Sequence, residues 1–173
     1  MNSPIEYENP SLLPVSFNGS FVNWSLLALE QALEEHLCQE NKQTVAFMAS
    51  MATHFSNQNS GIIFSSVETN VGNFFDVMTG RFGAPVNGVY FFTFNMMKHE
   101  DVEEVYVYLM HNGNTVFSLY SYESKGKADT SGNSAVLKLA KGDEVWLRMG
   151  NGALHGDHQR FSTFAGFLLF ETK

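Results

Sequence analysis

Residues 44–173 consist of short apolar runs separated by turn residues, and this pattern restricts the fold more than any other feature of the chain. The runs alternate with period two or are apolar throughout, which is typical of strands rather than helices. Asn112-Gly113, between two apolar runs, predicts a tight hairpin. About nine strands at this spacing predict an all-β sandwich or barrel.

The closing run, residues 160–173, is apolar on both of its faces. With period two, we expect Phe164 and Phe170 on the core face and Phe167 and Leu169 on the opposite face. Gly166 leaves room for close packing where two layers meet. The run is therefore predicted to be a central strand, although it ends the chain.

Other strands show the same double apolar pattern, and Tyr106 and Tyr108 alternate with apolar neighbours. In a monomeric β-sandwich, each sheet needs only one apolar face, which packs against the other sheet. A second apolar face therefore has to be buried against another element or another chain. No amphipathic helix in residues 44–173 can provide it. We therefore predict an obligate oligomer of identical chains, with tyrosines suited to the interface.

Residues 1–43 differ in composition from the rest of the chain. They hold only one of the ten basic residues, Lys42, and residues 1–22 lack a steady period, which predicts an extended or mobile segment. Leucines at positions 26, 29, 33 and 37 predict a short acidic helix. Its narrow apolar stripe fits either a coiled coil between copies or a helix packed on its own domain. We thus divide the chain into an extension, 1–43, and a globular domain, 44–173.

Charge and motif content exclude several classes of function. The formal net charge of −8 disfavours nucleic acid as a partner, and no apolar window is long enough to span a membrane. The chain has no G-x-S-x-G, P-loop, H-E-x-x-H or C-x-x-C motif, so we do not predict an enzyme. The first ten residues do not read as a signal peptide, so either the chain is cytosolic or its signal has been removed.

Several segments, in order, resemble the C1q-type globular heads of the C1q/TNF-related proteins. They are TNVGNFFDVMTGRF (69–82), LMHNGNTV (109–116), NSAVLKLAKGDEVWLRM (133–149) and STFAGFLLF (162–170). The resemblance implies a ten-strand jelly roll that forms a homotrimer. It also implies a secreted, extracellular ligand that signals like an adipokine, in metabolism and inflammation, through a receptor of unknown identity. The alternative within the family is a pattern-recognition or lectin-like binder of microbial or cell surfaces.

The relatives carry a Gly-X-Y collagen stalk before the head, whereas residues 1–43 contain no such repeat. Cys38, the single cysteine, is predicted either to form an interchain disulfide or to remain a free or buried thiol. Asn18 and Asn23 begin N-glycosylation sequons, which matter if the chain is secreted.

No cofactor is required by the resemblance, but some similar trimers bind calcium through two acids near their apex. Asp129 matches one of these acids, and the other position holds Ser121. Because calcium favours several oxygen ligands, often carboxylates, the missing acid weakens this site.

Two further groups are candidates for receptor contact. Glu100, Asp101, Glu103 and Glu104 form an acidic group, which is either a solvated turn or a surface for a basic receptor. His155 and His158 flank Asp157 in a glycine-rich stretch. With no third ligand nearby in the sequence, they predict a surface loop rather than a metal site.

Overall fold

The computed structural model describes the backbone of residues 15–17, 20–22, 24–40 and 42–173, and the side chains of residues 27–36 and 42–173. The chain divides into two units, residues 1–42 and 43–173. In the first unit, β1 (Val15–Phe17) pairs with β2 (Ser20–Val22), and α1 spans Trp24–Glu40. Leu29 and Leu33 of α1 are 58% and 51% exposed in the single chain.

Three predicted sites of the first unit cannot be placed in detail. Asn18 and Asn23 lie outside the described residues. Cys38 lies in α1, but its side chain is not among those described. The two glycosylation sites and the interchain disulfide therefore stay predictions.

The second unit consists of ten strands in two five-stranded antiparallel sheets, which confirms the predicted all-β jelly-roll sandwich. The strands are β3 (Ala46–Ser50), β4 (Ser66–Val71), β5 (Phe75–Asp76), β6 (Arg81–Gly83), β7 (Gly88–Met97), β8 (Glu104–His111), β9 (Asn114–Tyr122), β10 (Thr130–Leu139), β11 (Glu144–Asn151) and β12 (Thr163–Glu171). The first sheet has the order β10-β7-β12-β3-β4, and the second has the order β5-β6-β11-β8-β9.

The core between the sheets is built largely from phenylalanine rings. Phe47 stacks on Phe75 and Phe82, with ring centroids 4.6 and 5.3 Å apart, and meets the edge of Phe164 at 5.0 Å. All four side chains are buried. Offset and edge-to-face contacts of this kind add stability beyond the burial of apolar area alone. The heavy use of phenylalanine in the sequence therefore serves the contact between sheets.

The last strand, β12, lies in the centre of the first sheet, between β7 and β3. Phe164 is fully buried, as expected for the core face. The expectation for Phe170 was wrong, because this side chain is 53% exposed. A register shift between Leu168 and Phe170 in the pairing with β7 interrupts the alternation of faces. An extra residue in a bulge moves every later side chain to the other face of the strand.

Candidate functional site

The solvent side of the first sheet carries an apolar row that crosses all five strands. The pairing register aligns Val136, Phe91, Phe167, Ala46 and Val71 side by side on neighbouring strands. Val136, Phe167 and Val71 are 62%, 44% and 44% exposed in the single chain. Exposed apolar surface that runs across a whole sheet is typical of an interface. We call these five residues the apolar row.

Leu169 is likewise exposed, whereas the predicted tyrosines lie on the other sheet. Leu169 follows Phe167 on β12 and is 42% exposed. Tyr106 and Tyr108 lie on β8 of the second sheet, and alternate with the fully buried Val105 and Val107. Their side chains are therefore on the outer face of the second sheet, which points away from the apolar row. The structure does not bring the tyrosines and Phe167 to one surface.

The tyrosines are partly covered within their own sheet. The ring of Tyr106 lies 4.4 Å from that of Tyr120 on β9, and the guanidinium of Arg148 on β11 lies 4.8 Å from the centroid of Tyr108. Cross-strand aromatic pairs and cation–π contacts stabilise a sheet without any second chain. These contacts account for the apolar pattern of β8 that the sequence assigned to an interface.

The acidic group between β7 and β8 lines one side of an open cleft. Asp101, Glu103 and Glu104 contribute to its wall, and Lys125 lines the same cleft. Glu100, Asp101 and Glu103 are exposed. Glu104 is partly buried, and its carboxylate accepts a hydrogen bond of 2.9 Å from the side chain of Asn151. Three of the four predicted receptor-facing acids are thus available to a partner, and the fourth is held within the head.

Lys98, at the base of this loop, is fully buried, although it is charged. Its ammonium group donates to the carbonyl oxygens of His99, Val102 and Lys127, at 3.2, 2.6 and 2.8 Å. A buried charge is tolerated when it is fully hydrogen-bonded. The ammonium therefore ties the acidic loop to the segment that precedes β10. No sequence pattern predicts this role.

At the position of the predicted calcium ligand, Asp129 has a partner from its own chain. Ser121 is buried, and its hydroxyl donates a hydrogen bond of 2.5 Å to Oδ2 of Asp129. Asp129 is the one acid of the calcium-binding pattern that this chain retains, and Ser121 stands in place of the other. Ser121 therefore occupies one oxygen of Asp129.

The structure brings His155 together with His54 and His99, which the sequence analysis missed. Each of the three rings offers one nitrogen, and these nitrogens lie within 4.8 Å of one another. His54 follows β3, His99 follows β7, and His155 follows β11, so the three come from separate loops. His158 is exposed and is not part of the cluster. The sequence analysis looked for further ligands only among nearby residues, whereas His54 and His99 are distant in the sequence and close to His155 in the structure.

Hydrogen bonds orient the three rings. Nδ1 of His54 accepts from the backbone N–H of Gly156 at 3.1 Å, and Nδ1 of His99 accepts from that of Asp101 at 3.2 Å. Nε2 of His155 lies 3.1 Å from a carboxylate oxygen of Asp157. This contact holds the pKa of Asp157 below its usual range. Partial desolvation, followed by the nearby rings of His99 and His155, lowers the pKa of His54.

Comparison with known proteins decides the family. Residues 46–169, which make up most of the chain, match the family model of the C1q domain. The chain belongs to the C1q-domain family. It is 92% identical, over 129 residues, to complement C1q tumor necrosis factor-related protein 3 of Mus musculus and of Homo sapiens. This match covers 75% of the chain and 52% of each relative, so the chain spans about half the length of these curated relatives.

The solved globular domain of zebrafish complement 1qA protein has the same fold as this C1q head. The two share 22% identity with a TM-score of 0.63, and the match covers 74% of this chain and 99% of that one. The 92% identity to C1q tumor necrosis factor-related protein 3, also called cartonectin, confirms the resemblance to the C1q/TNF-related proteins. Membership of this family confirms the prediction that the chain is not an enzyme. Among the described residues, no helix combines the length and apolar character that a bilayer span needs.

Proposed function

We propose that this C1q head is part of a secreted homotrimeric ligand that signals, like an adipokine or cytokine, by binding a cell-surface receptor. The single observation that carries the assembly is the apolar row. Antiparallel sheets commonly present polar side chains on the face that meets water. A row of five apolar residues on that face, two of them phenylalanines, is better satisfied by burial against other copies of the same head.

The mass of the particle in solution tests this assembly. Phe167→Asp and Val136→Asp place a charge inside the apolar row, and we expect both to convert a trimer into monomers because an unpaired buried charge is strongly unfavourable. Tyr122→Asp is the matched control, since Tyr122 is 61% exposed on the second sheet and Val136 is 62% exposed on the first. The control should stay trimeric. A monomeric wild-type chain, or intact trimers in both row variants, would contradict the proposal.

The extension is proposed to join the same assembly. Leu29 and Leu33 are more than half exposed in the single chain, as expected for the seam of a coiled coil between copies. Cys38 lies near the end of the same helix, where it would be able to link chains. Migration on gels with and without reductant tests the link, with Cys38→Ser as the control. A single monomer band without reductant, from protein prepared under oxidising conditions, argues against it.

Secretion predicts that Asn18 and Asn23 carry glycans. Protein expressed in mammalian cells should lose mass after glycosidase treatment, and the Asn18→Gln, Asn23→Gln double variant should not. An unchanged mass in the wild-type chain would remove this prediction.

Receptor binding is proposed to use the acidic loop. Glu100, Asp101 and Glu103 are exposed beside a cleft, and a trimer presents the group three times. Repetition amplifies a weak contact through avidity. The charge of this surface favours a basic receptor patch. Of the alternative, a pattern-recognition or lectin-like binder of microbial or cell surfaces, the charge disfavours the binding of phosphorylated surfaces, because like charges repel.

A matched pair of charge variants tests the receptor surface. Glu100→Gln, Asp101→Asn, Glu103→Gln removes three negative charges from the loop. Glu30→Gln, Glu34→Gln, Glu35→Gln removes three from exposed positions of α1. We expect the first variant to lose binding to responsive cells and the second to retain it, with trimers intact in both. Equal binding by both variants, or binding to lipopolysaccharide instead of cells, would count against the proposal.

A further inference from the structure

Two isolated β-bridges place the three histidines of the cluster side by side. Leu154 forms one bridge with Phe55 and another with Lys98. Each of these three residues is the direct chain neighbour of one histidine, namely His155, His54 and His99. The arrangement extends the sheet pattern into the loops, so three imidazoles are presented from three adjacent segments.

The backbone of the cluster is fixed by hydrogen bonds to the rest of the head. The N–H of His155 donates to the carbonyl of Met97 at 2.8 Å, and that of His99 donates to the carbonyl of Ala153 at 2.9 Å. The hydroxyl of Ser162, which is buried, donates to the carbonyl of His155 at 3.0 Å. The backbone of His99 and His155 is therefore held in place before any ligand binds, so that only the rings need to adjust.

The charges around the cluster suit a cation. The carboxylates of Asp101 and Asp157 lie next to the rings of His99 and His155, at 3.6 and 3.1 Å. The positive charge of the Lys98 ammonium disfavours a cation, but this ammonium is hydrogen-bonded to three carbonyl oxygens.

We propose that His54, His99 and His155 form a binding site for a divalent transition-metal ion of the zinc type. Neutral imidazole nitrogens are favoured ligands of zinc and copper, and three of them with a fourth position open to solvent make a complete protein ligand set. Asp157 orients His155, because its carboxylate accepts a hydrogen bond from Nε2–H and so leaves Nδ1 as the ligand atom.

Metal binding requires two defined local changes. Nitrogens that share one zinc ion lie about 3.3 Å apart in a tetrahedral site, so nitrogens that now lie up to 4.8 Å apart have to converge by up to about 1.5 Å. His54 and His99 each use Nδ1 as an acceptor, which leaves Nε2 for the metal. The proton of each ring then moves to Nδ1, and the contacts with the N–H groups of Gly156 and Asp101 are lost. A shift of tautomer in these two rings is therefore a specific signature of the site.

Calorimetric titration of the tag-free full chain with zinc chloride tests the proposal, with magnesium chloride as a comparison ion. We expect one zinc ion per chain and no binding of magnesium. His54→Gln and His155→Gln should each lower zinc affinity at least about tenfold, as should Asp157→Asn. His158→Gln is the matched control, because His158 is exposed and outside the cluster. No binding by the wild-type chain, or an equal loss in the control, would overturn the site.

A second measurement keeps the proposal testable if a variant folds poorly. Cobalt added to the wild-type chain should produce the intense visible absorption of tetrahedral coordination, and zinc should remove it. Nitrogen NMR of the histidine rings should show His54 and His99 changing tautomer on zinc addition. Octahedral cobalt spectra, or unchanged tautomers at saturating zinc, would show that these rings do not bind the metal.

Discussion

The hydroxyl of Ser121 on β9 donates a hydrogen bond of 2.5 Å to the carboxylate of Asp129. In similar trimers that bind calcium, an acid stands where this chain has Ser121. Here the hydroxyl of Ser121 instead engages one oxygen of Asp129. We therefore expect the wild-type head to melt at the same temperature in calcium and in chelator.

Replacing this serine with an acid should create a calcium response. Ser121→Asp is expected to melt lower than the wild-type head in chelator, because two carboxylates then face each other in a partly buried place, and to recover when calcium is added. Ser118→Asp adds the same charge at an exposed position of the same strand and should show no such response. A calcium-dependent melting temperature in the wild-type head would contradict this account.

Lys98→Met is expected to destabilise the head by about 3 kcal/mol, because it leaves three backbone carbonyls buried without their donor. Lys125→Met removes the same charge at an exposed position and should change the free energy of unfolding little. Urea denaturation followed by tryptophan fluorescence measures both variants. Similar stability of the two would mean that the ammonium contributes nothing to holding the loop.

Asp143 makes the head sensitive to acid. Hydrogen bonds from Asn112, His111 and the backbone N–H of Ala140 hold the pKa of Asp143 below its usual range. A carboxyl group with a lowered pKa stabilises the fold fully above its unfolded value, about 3.9, and this stability is lost as the pH falls through the lower folded pKa.

Asp143→Asn should therefore lower the melting temperature at neutral pH and flatten its decline at acidic pH. Asp101→Asn is the control, since the side chain of Asp101 is 83% exposed. Melting curves recorded from pH 7 to about pH 3 compare the two variants with the wild-type head. An Asp143→Asn profile parallel to that of the wild-type head would argue against this role.

Gly166 lies where β12 packs against the phenylalanine core. A Cβ atom at this position would come within 2.6 Å of Phe92 and 2.8 Å of Phe47. We expect Gly166→Ala to destabilise the head by about 1 to 3 kcal/mol through overpacking. Gly83→Ala is the matched control in β6, because nothing lies within 4 Å of its Cβ position. Equal effects of the two substitutions would show that the core adjusts freely around Gly166.

The sequence predicted the strands well because their signal is local. Alternation of apolar residues, and turn residues such as Asn112-Gly113, depend on neighbours in the chain. The apolar character of β12 likewise predicted a central strand, which it is. The face of Phe170 was predicted wrongly, because the register shift after Leu168 depends on the pairing with β7 rather than on β12 alone.

The candidate sites were predicted less well than the fold, because they depend on contacts between distant segments. Tyr106 and Phe167 have similar local patterns, but only the order of the strands places them on opposite sides of the sandwich. The buried ammonium of Lys98 depends on the carbonyl group of Lys127, which is 29 residues away in the chain, as well as on carbonyl groups of its own loop.

By itself, the sequence determined a ten-strand C1q head with an aromatic core, because strand periodicity and family motifs are written in consecutive residues. Only the tertiary structure decided which surfaces the head presents. It aligns five apolar residues across one sheet and places the hydroxyl of Ser121 within hydrogen-bonding distance of Asp129. It also brings His54, His99 and His155 close together from three loops. The physical reason is that pairing register and loop packing are set by contacts throughout the domain, which no short stretch of sequence contains.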